Sequence, residues 1–461
     1  MSVRSSIGSG GASLQEIRVG LQELTLNSVR QALPDRAILA ACQAAGLEWR
    51  KRLIVPVVVV LHMVMAAFWP EKSFTASWRT IWARLSSRIP GAAGRSPGSG
   101  AVSKARARVP LAVWEQLFAW LAERAQELSA AVGDRWRGLR LVLIDGFTVS
   151  MPDQPELFAA FGRGHSRHGL YKYPLARVVS LALANSMTLL GYRLGGYRDS
   201  ESALAAELLP LLKPGDLLIG DRGFAGAHYY VRYLTQGLHF LTRVHQRLKL
   251  RRLPRLAVHG PGDFVTSLQI NATYRREHPE MPEAVVVRLI QVAAWVRGRR
   301  QSLWLATSLL DVRRYPAREI AELYFRRWRI ETLFREIKIG LGADVLRSLT
   351  PDGVRKEIVA RLLALNVART IMLEAAQEHG LDPLRISFTA ALRTILVFAP
   401  DMASAPPALL PRIYQAMLQE IASELVPHRP GRNEPRCIRR ERHHYPDLHT
   451  TRVEWRANHA S

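Results

Sequence analysis

The sequence predicts an α/β core, interrupted by a β-rich insertion and preceded by a small helical domain. Three observations carry this. Between about 139 and 224, strand-like runs alternate with a helical one, as in an α/β core. Residues 236–305 then read mostly as strands. Apolar residues at helical spacing fill 31–88 and return from about 316. With 461 residues, 48% of them hydrophobic, the chain has room for roughly two to four domains with real cores.

The elements follow in order. Residues 1–30 open on "MSVRSSIGSGGASLQEIRVG", a Gly/Ser-rich arm predicted to be mobile and lacking the apolar core of a secretion signal. Residues 31–88 form the helical domain. Within it, "LIVPVVVVLHMVMAAFW" (53–69) is apolar for 17 residues but includes Pro56 and His62. A membrane-spanning helix needs about 20 apolar residues, so this run predicts a buried core helix. No membrane partner is expected, and a cytoplasmic protein is. Residues 89–110, with "PGAAGRSPGSGAVSKARARVP", read as a basic linker.

The first part of the core, 111–235, begins with a helix over 111–131. Three strands follow, in "LRLVLIDGFTVSM", "ARVVSLALANSM" and "LLGYRLGGYRDS", then a helix in "SESALAAELLPLL" and a buried strand in "DLLIGDRGF". The insertion spans 236–305 and the second part of the core 306–380. Residues 381–461 form a C-terminal helical region with a basic tail from 427.

Charge narrows the partner. Sixty-four Lys and Arg face 39 Asp and Glu, leaving +25 and a pI near 10.9. Such a field favours a polyanion, nucleic acid first of all. Two cysteines, Cys42 and Cys437, suit a reducing compartment and build no disulfide framework. Cys437 has His443, His444 and His449 nearby, but lacks the paired ligand spacing of a structural zinc site.

The chemistry gathers around "YFRRWRIETLFREIK" (324–338), which carries five cations and two glutamates. Read as one helix, it places Tyr324, Arg327, Glu331 and Lys338 in a stripe about 60° wide. Leu323, Ile330, Leu333, Phe334 and Ile337 form the adjoining apolar face, and Glu336 points away toward exposed cations. An amphipathic helix with ordinary ion pairs four residues apart would look the same. Two aspartates at strand ends, each followed by a turn glycine, add weight: Asp145 in "LVLIDGFT" and Asp221 in "LLIGDRGF". Each alone could cap a turn. With Glu331 they would make an oxygen-only set suited to Mg²⁺ or Mn²⁺ and to two-metal phosphoryl transfer.

Tyr324, two residues, Arg327, three residues, Glu331, six residues, Lys338: this spacing resembles the Y-R-E-K motif of the insertion-sequence-four family of DDE transposases. "DGFTVSMPD" and "GDLLIGDRGF" resemble that family's two aspartate motifs, and the likeness spans about 139–345. More loosely, "LPDRAILAACQAAGLEWRKRLIVPVVVVLHMVMAAF" is similar to its N-terminal, DNA-binding domain. The resemblance implies a ribonuclease-H-like core in a bacterial transposase, with Asp145, Asp221 and Glu331 holding two divalent ions. It further implies that Tyr324, Arg327 and Lys338 hold phosphates of a transposon end, in a homodimer joining two ends on double-stranded DNA.

Trp304, in "SLWLATSLL", matches a strand tryptophan that stacks on a flipped base in relatives cutting through a hairpin; a core tryptophan is the other reading. Arg222 would contact phosphate or pair with a carboxylate. The "RLKLRR" run (247–252) reads as a solvated basic face meeting DNA. The function expected is cut-and-paste transposition. Its rivals are a nuclease that only hydrolyses and a DNA-binding regulator without catalysis.

Overall fold

The structure, a computed structural model, describes residues 29, 31–49, 54–86, 96–133, 135–166, 169–245, 247–296 and 299–427, with residues 454, 457 and 458. Apart from residues 29, 454, 457 and 458, the expected N-terminal arm and the basic tail beyond 427 lie outside them, and so do Cys437, His443, His444 and His449. The protein is a mixed α/β structure with N-terminal helices. Its strands are β1 (Arg135–Trp136), β2 (Leu139–Ser150), β3 (His165–Ser166), β4 (Gly169–Leu170), β5 (Leu175–Leu183), β6 (Leu189–Gly196), β7 (Asp216–Gly220), β8 (His239–Arg243), β9 (Ala257–Gly260), β10 (Asp263–Gln269), β11 (Ala284–Val296) and β12 (Arg299–Thr307).

One sheet contains all of these but the β3–β4 hairpin, in the order β6-β5-β2-β7-β8-β12-β11-β10-β9, with β1 paired to β2. The β6–β5 and β5–β2 pairs are antiparallel; β2–β7 and β7–β8 are parallel. From β8 onward all pairs are antiparallel. Strand β8 falls inside the span read as insertion, yet it pairs in parallel with β7, so the β-rich excursion begins after Arg243 and comes back beside β8 through β12. It widens the sheet instead of forming a separate body.

A buried pair sets the central register. Arg140 on β2 donates from Nε and Nη2 to both Asp216 oxygens on β7, at 2.8 and 2.6 Å, and the two residues are partners in the ladder. Side-chain exposure is 7% and 3%, so any slip would strand both charges in the interior. The pair specifies alignment more than it adds net stability.

The N-terminal helices share the core of the sheet. Every residue of Pro56–Phe68 is buried, as the apolar run predicts, and this helix packs against the long helix Pro351–Glu378. Among the described residues no helix is long and apolar enough to cross a membrane. Leu111–Ala131 packs on the same long helix, whose Asn366 both accepts from Leu189 N–H and donates to its carbonyl, pinning the start of β6. One stretch departs from expectation: Ser99–Arg108, read as linker, is a helix. Val102 and Ala105 are buried, and the Arg106 guanidinium lies 3.6 Å from the Phe74 ring centroid. Tertiary packing overrides its Gly/Ser/Arg composition.

Candidate active site

The β2–β7 register builds the centre. Ladder pairing runs from Arg140–Asp216 to Leu143–Ile219. Two further steps bring Asp145 opposite Asp221, the residue that follows the end of β7. Asp145 is therefore not at a strand end, as the sequence suggests. Strand β2 continues to Ser150 because β5 goes on pairing with it; only the parallel neighbour stops. Nor is Gly146 a turn glycine. It stays in the β2–β5 ladder, where its bare Cα leaves room for the Glu201 side chain, 3.2 Å from the point a Cβ would occupy.

Asp145 is largely buried and accepts from Gly146 N–H at 2.8 Å. Burial is the main cause that pushes its carboxyl up to about 6; Asp221 and Glu201 add repulsion, against the Gly146 bond and Arg327. Asp221 caps the short turn Arg222–Phe224, accepting from Gly223 N–H at 2.6 Å. Arg222 itself is exposed on that turn.

The stretch 324–338 is not one helix. Ala317–Phe325 and Trp328–Arg335 are α-helical, and a π-turn follows over Glu336–Gly340. At the junction Arg326, Arg327, Arg329 and Ile330 donate three residues back instead of four. The tightened turn holds Arg327, only 9% exposed, between two carboxylates: it donates to Asp145 at 3.1 Å and to Glu331 at 3.4 Å. Tyr324 is buried beside it, its hydroxyl pKa raised by burial and lowered in part by Arg327. Lys338 rides on the π-turn with its Nζ 5.5 Å from the ring of Phe147, which lies on the same face of β2 as Asp145. Burial lowers the Lys338 pKa. Glu336 does not meet an exposed cation; it pairs with the buried Arg369.

Asp145, Asp221, Tyr324, Arg327, Glu331 and Lys338 thus gather at one place. Trp304 does not join them. Arg243 and Leu305 are ladder partners on the face of Leu241, whereas Trp304 shares the opposite face with Ala306, its ring edge-on to Phe264 at 5.8 Å. Two residues near the carboxylates gave no signal in the sequence. Glu201 opens the helix Glu201–Ala206, a position where an acidic residue is ordinary. Trp328, next to Arg327, is 47% exposed where an amphipathic reading predicts nothing special.

The donors here are carboxylate oxygens, which suit a hard divalent cation. Among the described residues no three His, Cys, Asp or Glu side chains are grouped closely enough to hold a metal ion, and the Arg327 guanidinium stands between Asp145 and Glu331. The donor chemistry fits, and the register sets Asp145 opposite Asp221.

A family model described as a transposase DDE domain matches residues 136–367, just over half of the chain and the whole of this site. The protein belongs to that family. A DDE domain implies phosphoryl transfer and a divalent metal. Transposase InsG for insertion sequence element IS4 of Escherichia coli (strain K12) is 27% identical over 351 residues, spanning 75% of this chain and 77% of that one. The transposase for insertion sequence element IS421 of Escherichia coli is 24% identical over 276 residues, 54% and 70% of the two chains. Among solved structures, the cryo-EM piggyBac transposase synaptic complex with hairpin DNA aligns over 90% of this chain and 86% of that chain, with a TM-score of 0.42 and 10% identity.

Proposed function

We propose that this transposase cuts the DNA strands at the ends of an insertion sequence and joins the freed ends to target DNA, from a ribonuclease-H-like core. The observation that carries the reading is Asp145 lying opposite Asp221 across the β2–β7 register, with the Glu331 helix tied to Asp145 through Arg327. The order β6-β5-β2-β7-β8, two antiparallel pairs followed by two parallel ones, supports the ribonuclease-H-like assignment.

In this reading water attacks the phosphorus at the element's end, the P–O3′ bond breaks, and the leaving oxygen takes up a proton as a 3′-hydroxyl. That hydroxyl then attacks the opposite strand or target DNA, exchanging one phosphodiester for another. Asp145, Asp221 and Glu331 would hold two Mg²⁺ or Mn²⁺ ions, which when bound make water a better nucleophile and offset charge on the leaving oxygen. Arg327 holds Asp145 and Glu331 at a set separation in the free protein. Tyr324, Lys338 and Arg222 are donors for phosphate oxygens around the cut. Trp328 offers the aromatic face for an unstacked base, in place of Trp304, whose ring is packed on Phe264. Two copies of the chain would bring two ends together.

The test uses a labelled duplex from the boundary of the element carrying the gene, with Mg²⁺. Mapping should find a 3′-hydroxyl at the boundary and, with target DNA added, joined product. Cleavage without joining favours the hydrolytic nuclease; binding without cleavage favours the regulator.

A further inference from the structure

The turn that carries Lys338 is gripped by the segment that follows it. Leu341, Ala343 and Asp344 donate their N–H groups to the carbonyls of Glu336, Ile337 and Lys338, at 2.9, 3.1 and 3.2 Å. Ser150 at the end of β2 donates to the Asp344 carbonyl at 3.3 Å. The far end of the segment is fixed by the buried Glu357, whose carboxylate accepts from the Arg347 and Ser348 N–H groups and from Arg361. Arg361 in turn donates to the Leu341 carbonyl at 3.1 Å. Residues 341–348 are therefore a strap whose backbone shape is held by a fully desolvated carboxylate.

The strap also binds the N-terminal helices. The Arg347 guanidinium donates to the carbonyls of Pro70 and Lys72, in the loop between helices Pro56–Phe68 and Phe74–Ser86. Gly342 sits against the same loop at φ +68°, where a Cβ would come within 2.8 Å of Pro70 Cβ and 3.3 Å of its Cα. Only glycine combines this backbone conformation with so close an approach. Two independent contacts thus lock one loop of the N-terminal helices to the segment behind Lys338.

We propose that Arg347 is a positioning residue, and that the strap makes the placement of Lys338 depend on how the N-terminal helices are seated. A cation carried on a π-turn has no rigid helix to aim it, so its direction is set by what holds the turn. The proposal rests on the reading of Lys338 as a phosphate-holding residue.

A double-mutant cycle tests it in the full chain, with the boundary duplex and Mg²⁺, by measuring cleavage of already bound DNA in parent, Arg347→Ala, Lys338→Ala and the double variant. Arg347→Ala should bind the duplex and melt cooperatively, yet cleave on the order of ten- to a hundredfold more slowly, the cost of a misplaced group. The double variant should be no slower than Lys338→Ala alone, because the strap then has nothing to aim. Additive losses would overturn the strap while leaving the role of Lys338 intact. Parental cleavage by Lys338→Ala would overturn both. If Arg347→Ala fails to fold, Gly342→Ala, which leaves Arg347 in place and wedges Pro70 away, takes its place in the cycle and is judged the same way.

Discussion

Replacing Arg327 with Gln removes the guanidinium between Asp145 and Glu331 and keeps most of its bulk. The loss can be bounded from the structure. Without its counter-charge Asp145 would take up a proton instead of remaining buried and ionised, so the cost through Asp145 cannot exceed the free energy the parent gains by ionising it. That carboxyl sits at about 6. At pH 7.5 the gain, at about 1.4 kcal/mol per pH unit, comes to about 2 kcal/mol. At pH 5 Asp145 is mostly protonated in the parent as well, and its share of the loss vanishes. The Glu331 pair is half exposed, with 52% of the Glu331 side chain accessible, and adds at most about 1 kcal/mol at either pH. The metal-free variant should therefore be less stable by about 1–3 kcal/mol at pH 7.5 and by less than about 1 kcal/mol at pH 5. Urea denaturation of both proteins at the two pH values, with chelator present, measures this. Equal destabilisation at both pH values would refute the reasoning, since the bridge would then be structural and not coupled to Asp145.

Asp145→Asn, Asp221→Asn and Glu331→Gln should each retain binding of the boundary duplex but lose cleavage by at least about a hundredfold, since each removes one carboxylate from the proposed phosphoryl-transfer site; a gel assay that separates bound from cut duplex decides each residue on its own. Chelator should abolish cleavage and leave binding, and binding should weaken steeply between 50 and 200 mM salt, on the order of a thousandfold if about six phosphates are contacted. Arg140→Ala leaves Asp216 charged and buried without its partner, and should cost about 3–5 kcal/mol in a urea melt. Burial holds the His62 imidazole down at about 3, so its contribution to stability is fully present above about 6.5 and lost as pH falls toward 3, by about 1.4 kcal/mol per unit; His62→Gln should flatten that acid slope in a melting series. Trp328→Ala should slow processing of the cut end while Trp304→Ala lowers the melting temperature, and the reverse outcome would return the stacking role to Trp304.

What the sequence made legible followed from local pattern. The five buried residues of β7 ending in Gly220 announce Asp221, because an apolar strand that stops at a carboxylate must turn there. The position of Asp145 within β2 was not legible, since it depends on where β7 stops alongside, and that register is fixed by Arg140 and Asp216, residues 76 positions apart. The break at Arg326–Arg327 was hidden for another reason: the apolar face of 323–337 keeps its period through the tightened turn, so spacing alone reports an unbroken helix. Which of its two readings Trp304 takes was not legible either. Both faces of the sheet are covered by core, so alternation in "SLWLATS" separates two faces without saying which one holds the carboxylates.

Arg327 shows why the motif could be found and its resting state could not. Its spacing from Glu331 is written in the chain, but its second partner, Asp145, is 182 positions away. In the free protein the guanidinium is engaged with two carboxylates, so it cannot at the same time serve a phosphate with the same donors. Carboxylates outnumber cations where Asp145, Asp221, Glu201 and Glu331 lie around Arg327, with Lys338 farther along β2 beside Phe147, although the chain as a whole carries +25. Attraction of DNA and admission of the scissile phosphate are thus separate electrostatic problems. The basic surface addresses the first without any cofactor. In the proposed reading, divalent ions held at Asp145, Asp221 and Glu331 would address the second, which is why binding is expected to survive chelation and cleavage is not.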